Sequence, residues 1–171
     1  MGLLFQPRWS GDRRRQPAVS RGGLAIDRGE VFLAALEAVV LGDGSRFADV
    51  FTDDIVFCSP HLMVESLDAV QREVGCPEDS LSDVAIVVLA LDAVGDKIVA
   101  EWRLEATFTR PVLFDDRVLI EPTGGGVNLP GASVAEFREH RIHAFRHYFD
   151  DSELLSGVPG TSSHLRWTRD Q

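Results

Sequence analysis

The chain has 171 residues, 44% of them hydrophobic and 26% charged, with a formal net charge of −10. That is the composition of one globular domain, long enough to bury a core without disulfide or metal staples. The acidic balance argues against nucleic acid and against an anionic membrane surface as partners, since both are held by Lys/Arg-rich surfaces.

The charge is unevenly placed. Residues 1–21 carry Arg8, Arg13, Arg14, Arg15 and Arg21 against Asp12 alone, and the rest has 12 basic and 26 acidic side chains. A basic arm on an acidic body keeps nucleic-acid binding open as a third reading; the plainer reading is a flexible terminus. Residues 1–25, with Pro7, Gly11, Pro17, Gly22 and Gly23, are expected to be disordered. A folded domain is expected over 26–156 and a flexible tail over 157–171. No apolar run reaches 18 residues and no apolar stretch follows the first basic residues, so neither a membrane span nor a secretory signal is expected. Cys58 and Cys76 make no disulfide framework, and reduced thiols in a cytoplasmic protein are the expectation.

Asp27-Arg28-Gly29-Glu30 has the form of a capping box. Phe32, Ala35, Leu36, Val39 and Val40 then recur at helical spacing, and Gly42 suits a left-handed cap. A shorter helix is predicted over about 45–51. Ile55 to Cys58 reads as a short strand stopped by Ser59-Pro60. Ser66 can cap a third helix running to Val74. Val84 to Val94 is β-branched and apolar, Gly95-Asp96 a turn, and Lys97 to Thr109 alternates strictly. Ile98, Ala100, Trp102, Leu104, Ala106 and Phe108 share one face of that strand. Residues 110–126 read as a looser segment. Val127 to Phe137 is predicted as a strand interrupted at Pro130-Gly131, and Arg141 to Asp150 as the last strand. Helices first and strands last, joined by short turns, give an α+β fold with an antiparallel meander.

Four stretches carry a resemblance. They are Phe51-Thr52-Asp53-Asp54-Ile55-Val56-Phe57 followed by Ser59-Pro60, Ala100-Glu101-Trp102-Arg103, Leu129 to Phe137, and Arg141 to Asp150 with its closing Tyr148-Phe149-Asp150. Over residues 27–155 the chain resembles the SnoaL-like, nuclear transport factor 2-like superfamily, which includes polyketide cyclases, limonene-epoxide hydrolases and ketosteroid isomerases. The resemblance implies a cone-like α+β barrel, with N-terminal helices packed in a curved, mainly antiparallel sheet around a hydrophobic pocket. It also implies a homodimer, for which Val99, Glu101, Arg103 and Glu105 on the outer sheet face are the expected contact. The departures matter. Where limonene-epoxide hydrolases place Tyr and Asn on the first strand, this chain has Val56 and Cys58. Where they carry Arg and Asp on the central strand, the nearest pair is Glu101 and Arg103. The Gly-Thr-His common in SnoaL-like cyclases is here Ala106-Thr107-Phe108. The superfamily supports many chemistries, so the likeness fixes the container more than the reaction.

Asp150 is the candidate catalytic residue. A carboxylate at the inner end of a strand beside aromatics is partly desolvated, which raises its pKa toward the range useful in general acid/base work. The competing reading is an Asx cap on the turn Asp150-Asp151-Ser152. Arg146 and Tyr148 share parity with Asp150 and are candidates to hold a carboxylate or enolate, unless Arg146 pairs with Glu136 or a bulge swaps the face. Trp102, Phe57 and Phe108 are candidate pocket walls. His143 and His147, roughly 13 Å apart on a strand, are too distant for one metal. Gly131-Ala132-Ser133 lacks the second glycine of a nucleophile elbow, so Ser133 reads as structural. The expected function is a cofactor-independent cyclase, isomerase or hydratase acting on an apolar carbonyl or polycyclic compound, with no metal. The alternative is a non-catalytic ligand-binding or dimerisation module on the same fold.

Overall fold

The computed structural model describes residues 27–75, 80–114, 118–122 and 124–149. The expected arm, the tail, Cys76 and Asp150 lie outside the described residues. Three helices precede most of the strands: α1 (Arg28–Leu41), α2 (Phe47–Val50) and α3 (Leu67–Glu73). Each boundary has a local cause. Asp27 caps α1 by accepting from the Gly29 backbone N–H at 2.9 Å. Gly42, at φ 63°, ends it; its own N–H reaches the Val39 carbonyl, and that of Asp43 reaches Ala38, a Schellman pattern. Ser66 caps α3 through the Ala69 N–H. No described helix is long and apolar enough to cross a membrane.

The strands are β1 (Phe51–Ser59), β2 (Leu62–Val64), β3 (Leu81–Val94), β4 (Lys97–Phe108), β5 (Val112–Phe114), β6 (Val118–Ile120), β7 (Gly126–Arg138) and β8 (Arg141–Phe149). Six of them form one curved, unclosed sheet in the order β2-β1-β8-β7-β4-β3; β5 and β6 form a separate hairpin. Pairing is antiparallel except between β1 and β8, which run parallel. The long hairpin β3–β4 turns at Gly95-Asp96, with Val94 opposite Lys97. Two local expectations give way. Ser59-Pro60 does not end the sheet but turns it into the hairpin β1–β2, and β7 runs unbroken through Pro130-Gly131.

Strand alternation decides what is buried. All six apolar positions of β4 are at most 8% exposed, while Val99 and Glu101 between them are exposed. The helices cover the concave face so formed: α1 meets β3, β4 and β7, α2 meets β8, and α3 meets β1. Phe145 is the hub of the core, with ring centroids 5.7–6.0 Å from those of Phe51, Phe57 and Phe32.

Register breaks at four places: between Phe51 and Val56 on the β1–β8 pair, between Ser82 and Ala85 and between Val88 and Ala90 on β3, and between Glu136 and Phe137 on the β7–β8 pair. In the last, Phe137 faces Ile142 and Glu136 faces Ala144, so His143 is the extra residue. Beyond it Phe145 and His147 point inward, and Arg146 and Tyr148 lie on the outer face.

One close approach pins the sheet. Gly131 of β7 lies opposite Trp102 of β4, and a methyl group built on Gly131 would come well inside van der Waals contact of the indole ring. Gly131→Ala should therefore destabilise by about 1–3 kcal/mol through overpacking. Gly126→Ala, on the same strand with open space at its Cβ, should stay within about 0.5 kcal/mol of wild type. Urea denaturation of the two variants checks the contrast.

Candidate functional site

Three polar side chains meet on the concave face. Trp102 (β4) donates from Nε1 to Ser133 Oγ (β7) at 2.9 Å, and Ser133 Oγ lies 2.9 Å from His147 Nδ1 (β8). The Trp102 and His147 rings stack with centroids 4.8 Å apart, inclined by 12°. Ser133 is fully buried and His147 is 5% exposed.

The proton positions follow from what each group can do. Indole N–H only donates, so Ser133 must accept from it. Among the described residues the Ser133 hydroxyl then has one acceptor in reach, Nδ1 of His147. Nδ1 is therefore unprotonated, and the neutral ring carries its hydrogen on Nε2. Burial pushes the His147 pKa down from 6.5 to about 4, so the imidazole is neutral near pH 7. Among the described residues Nε2 has no hydrogen-bond partner. A neutral imidazole N–H in such a place can donate to a carbonyl or a developing oxyanion.

A cleft of about 600 Å³ opens on the same face, between α1 and β3. α1 contributes Glu30, Leu33, Ala34, Glu37 and Leu41, one stripe at helical spacing beside the core-facing one. β3 contributes Leu81, Val84, Ile86 and Val88, together with Asp83 in the left-handed conformation at φ 53°, inside a register break. Arg46 also lines the cleft and is bonded to Glu37 at 2.9 Å. Val88 is the cross-strand partner of Trp102, so the cleft wall and the buried polar trio are one strand apart.

The residues singled out from sequence are scattered with respect to these features. Trp102 is the centre of the trio. Phe57 and Phe108 are core residues, each 2% exposed, and neither lines the cleft. Arg146 lies on the outer face and bonds Glu136 at 2.6 Å, the cross-strand pairing left open by the sequence. Glu136 also takes Lys97 at 3.0 Å, and the two cations hold its pKa below the usual carboxylate range. Tyr148 is 48% exposed on that outer face. Val56 is exposed too, whereas its neighbours Ile55 and Phe57 point inward. The sequence analysis weighed His147 only as a metal ligand and Ser133 only as a nucleophile, and did not bring the two together. The available signal was Phe145-x-His147-x-Phe149, which sets a histidine between two aromatics on one strand face. Among the described residues no three His, Cys, Asp or Glu side chains are grouped to hold a metal.

Residues 32–145 match the sequence profile of the SnoaL-like domain. Solved structures of the same shape are found at low identity. A protein from Jannaschia sp. CCS1 assigned as a SnoaL-like polyketide cyclase superposes with a TM-score of 0.63 at 15% identity, over 84% of this chain and 99% of that one. AclR from Streptomyces galilaeus, assigned as a hydroxylase, gives 0.59 at 22% identity, over 78% and 96%. An LEH-like epoxide hydrolase from M. tuberculosis gives 0.55 at 15% identity, over 77% and 88%. No curated protein matches the sequence.

The depressed pKa of His147 has a consequence for stability. The unfolded chain takes up a proton at this ring near pH 6.5, and the folded protein resists it down to about pH 4. Stability contributed by the neutral ring is thus present above pH 6.5 and is lost as pH falls through this window, by about 3 kcal/mol when the loss is complete. His147→Gln removes the titrating ring, so its stability should fall less between pH 7 and pH 4.5 than that of wild type. Urea unfolding at the two pH values measures this. Parallel losses in both proteins would rule out a buried neutral imidazole.

Proposed function

The chain belongs to the SnoaL-like domain family, and from that premise we propose that it is a small-molecule pocket protein whose ligand occupies the cleft between α1 and β3. The observation that carries this reading is the cleft itself: about 600 Å³, walled mainly by aliphatic side chains with a few charged groups at fixed positions. That is the size and character of a site for a compact apolar molecule. Nile red, a neutral apolar dye, should brighten on binding the wild type. Ala34→Trp, which fills the cleft from the α1 side, should weaken that binding by about tenfold or more while the melting temperature changes little. Equal binding by both proteins rules the cleft out.

We propose, as a catalytic version of the reading, a cofactor-independent isomerase, cyclase or hydratase acting on an apolar carbonyl or polycyclic compound, with Asp150 as acid/base. Proton transfer beside a carbonyl needs a base and an oxyanion partner, and side chains supply both. The likeness in fold to proteins assigned as a polyketide cyclase and an epoxide hydrolase supports this version. Asp150→Asn keeps the shape and removes the titrating proton, so turnover should drop by about 10²–10⁴ while ligand affinity holds. An Asx cap at this position would instead leave the Asn variant like wild type and cost Asp150→Ala about 1 kcal/mol of stability.

The outer sheet face is the proposed homodimer contact. Val56, Val99 and Tyr148 are exposed there beside Glu101 and the Arg103–Glu105 ion pair. Light scattering should give twice the chain mass of 18.8 kDa, and a Val99→Glu/Tyr148→Glu variant should give the single mass. A monomeric wild type at micromolar concentration contradicts this assembly.

A further inference from the structure

We infer that the α1–β3 cleft selects apolar molecules that carry a positive charge, such as a hydrophobic amine, over neutral or anionic ones of the same shape. The inference rests on the reading of the cleft as the ligand pocket and goes further by naming the ligand's charge. The ionisable groups lining the cleft are Glu30, Glu37, Asp83 and Arg46. Arg46 is committed to Glu37 at 2.9 Å, so that pair cancels locally. Glu30 and Asp83 remain, and among the described residues neither has a cationic partner. Asp83 accepts only a neutral hydroxyl bond, from Ser82 at 3.2 Å. It sits in a register break of β3, in a backbone conformation that Asp tolerates better than most residues.

Glu30 and Glu37 are two helical turns apart, about 10 Å along the axis, with Leu33 and Ala34 between them. The cleft thus presents an aliphatic floor with carboxylates from both walls. Glu30 and Asp83 are exposed at the mouth of the cleft, where the apolar walls beside them focus their field and salt screens it. An ammonium on an apolar frame replaces lost water with a carboxylate partner. A carboxylate on the same frame meets like charge while giving up its hydration.

Three probes on one frame test this: 1-naphthylmethylamine, 1-naphthalenemethanol and 1-naphthaleneacetate. Each is titrated into the full chain at pH 7 and low salt, with amide NMR shifts of residues 30–41 and 81–88 as readout. The amine should bind about tenfold or more tighter than the carboxylate, with the alcohol between them. Adding 0.5 M NaCl should narrow the gap. Glu30→Gln/Asp83→Asn should bring the amine to within about threefold of the alcohol and leave the alcohol unchanged. If all three probes move these amides with equal affinity, or the carboxylate binds best, charge selection fails and the pocket stands. If none moves them, the pocket reading fails first. Two further results would overturn the inference by naming another occupant. One is a dependence of the same amides on protein concentration without probe, which marks a second copy of the chain. The other is amine affinity rising more than about tenfold in Arg13→Ala/Arg14→Ala/Arg15→Ala, which marks the chain's own arginine-rich segment.

Discussion

The indole of Trp102 lying against the bare backbone of Gly131 sets the arrangement of the concave face. No larger residue fits at 131, so β4 and β7 approach there as closely as a ring and a main chain allow. That approach brings Nε1 within reach of Ser133, two residues along β7, and lays the ring flat on His147 of the next strand. Three strands are thereby locked in one register by a contact, a hydrogen bond and a stack. The Ser133 hydroxyl bonds both other side chains, which is why the network is costly to cut: without it, a buried indole N–H and a buried imidazole nitrogen both lose their bond.

The opposite face of the same strands follows different physics. There Lys97 and Arg146 converge on Glu136, and Arg138 binds Asp54 at 2.7 Å and holds its pKa down to about 2. Arg138 and Asp54 are exposed, and Lys97 and Arg146 reach the more buried Glu136 from solvent; water and salt screen the cations, so these pairs add little to stability. Their effect is on geometry: they hold long side chains flat across neighbouring strands and leave Val99 and Tyr148 standing between them. The inner face keeps one neutral imidazole and admits charge only around the cleft; the outer face is a lattice of charge with apolar gaps.

Much of this was legible in the sequence, for reasons that differ from element to element. β4 could be read because every second residue is apolar over its whole length and nothing interrupts it. α1 and α3 could be read because their caps are local chemistry at Asp27, Gly42 and Ser66. The parallel pairing of β1 with β8 could not, since its partners, such as Phe57 and Phe145, are far apart in the chain and carry no mutual signal. The bulge at His143 is a one-residue event that reverses the facing of everything after it. Strand parity therefore placed Arg146 and Tyr148 together, correctly, and could not tell inside from outside. The Trp102–Ser133–His147 trio was illegible for the same reason: it exists only once three strands are in register.

The position of the cleft follows from the widths of the parts. A helix is about 10 Å across and strands are spaced by about 4.8 Å, so one helix shields about two strands. Here α3 lies on β1, α2 on β1 and β8, and α1 spans β3, β4 and β7. On that side β3 is the edge of the sheet, paired only with β4. Yet its inward residues Ile86 and Val88 are aliphatic and only half-buried, like Leu33 and Ala34 facing them from α1. Apolar surface kept at the open edge of a core costs stability in water and gains it when something apolar covers it. A fold that needed only to close could have filled this gap with larger side chains. With Ala34 on one wall and Val84 and Val88 on the other, it leaves room for a guest.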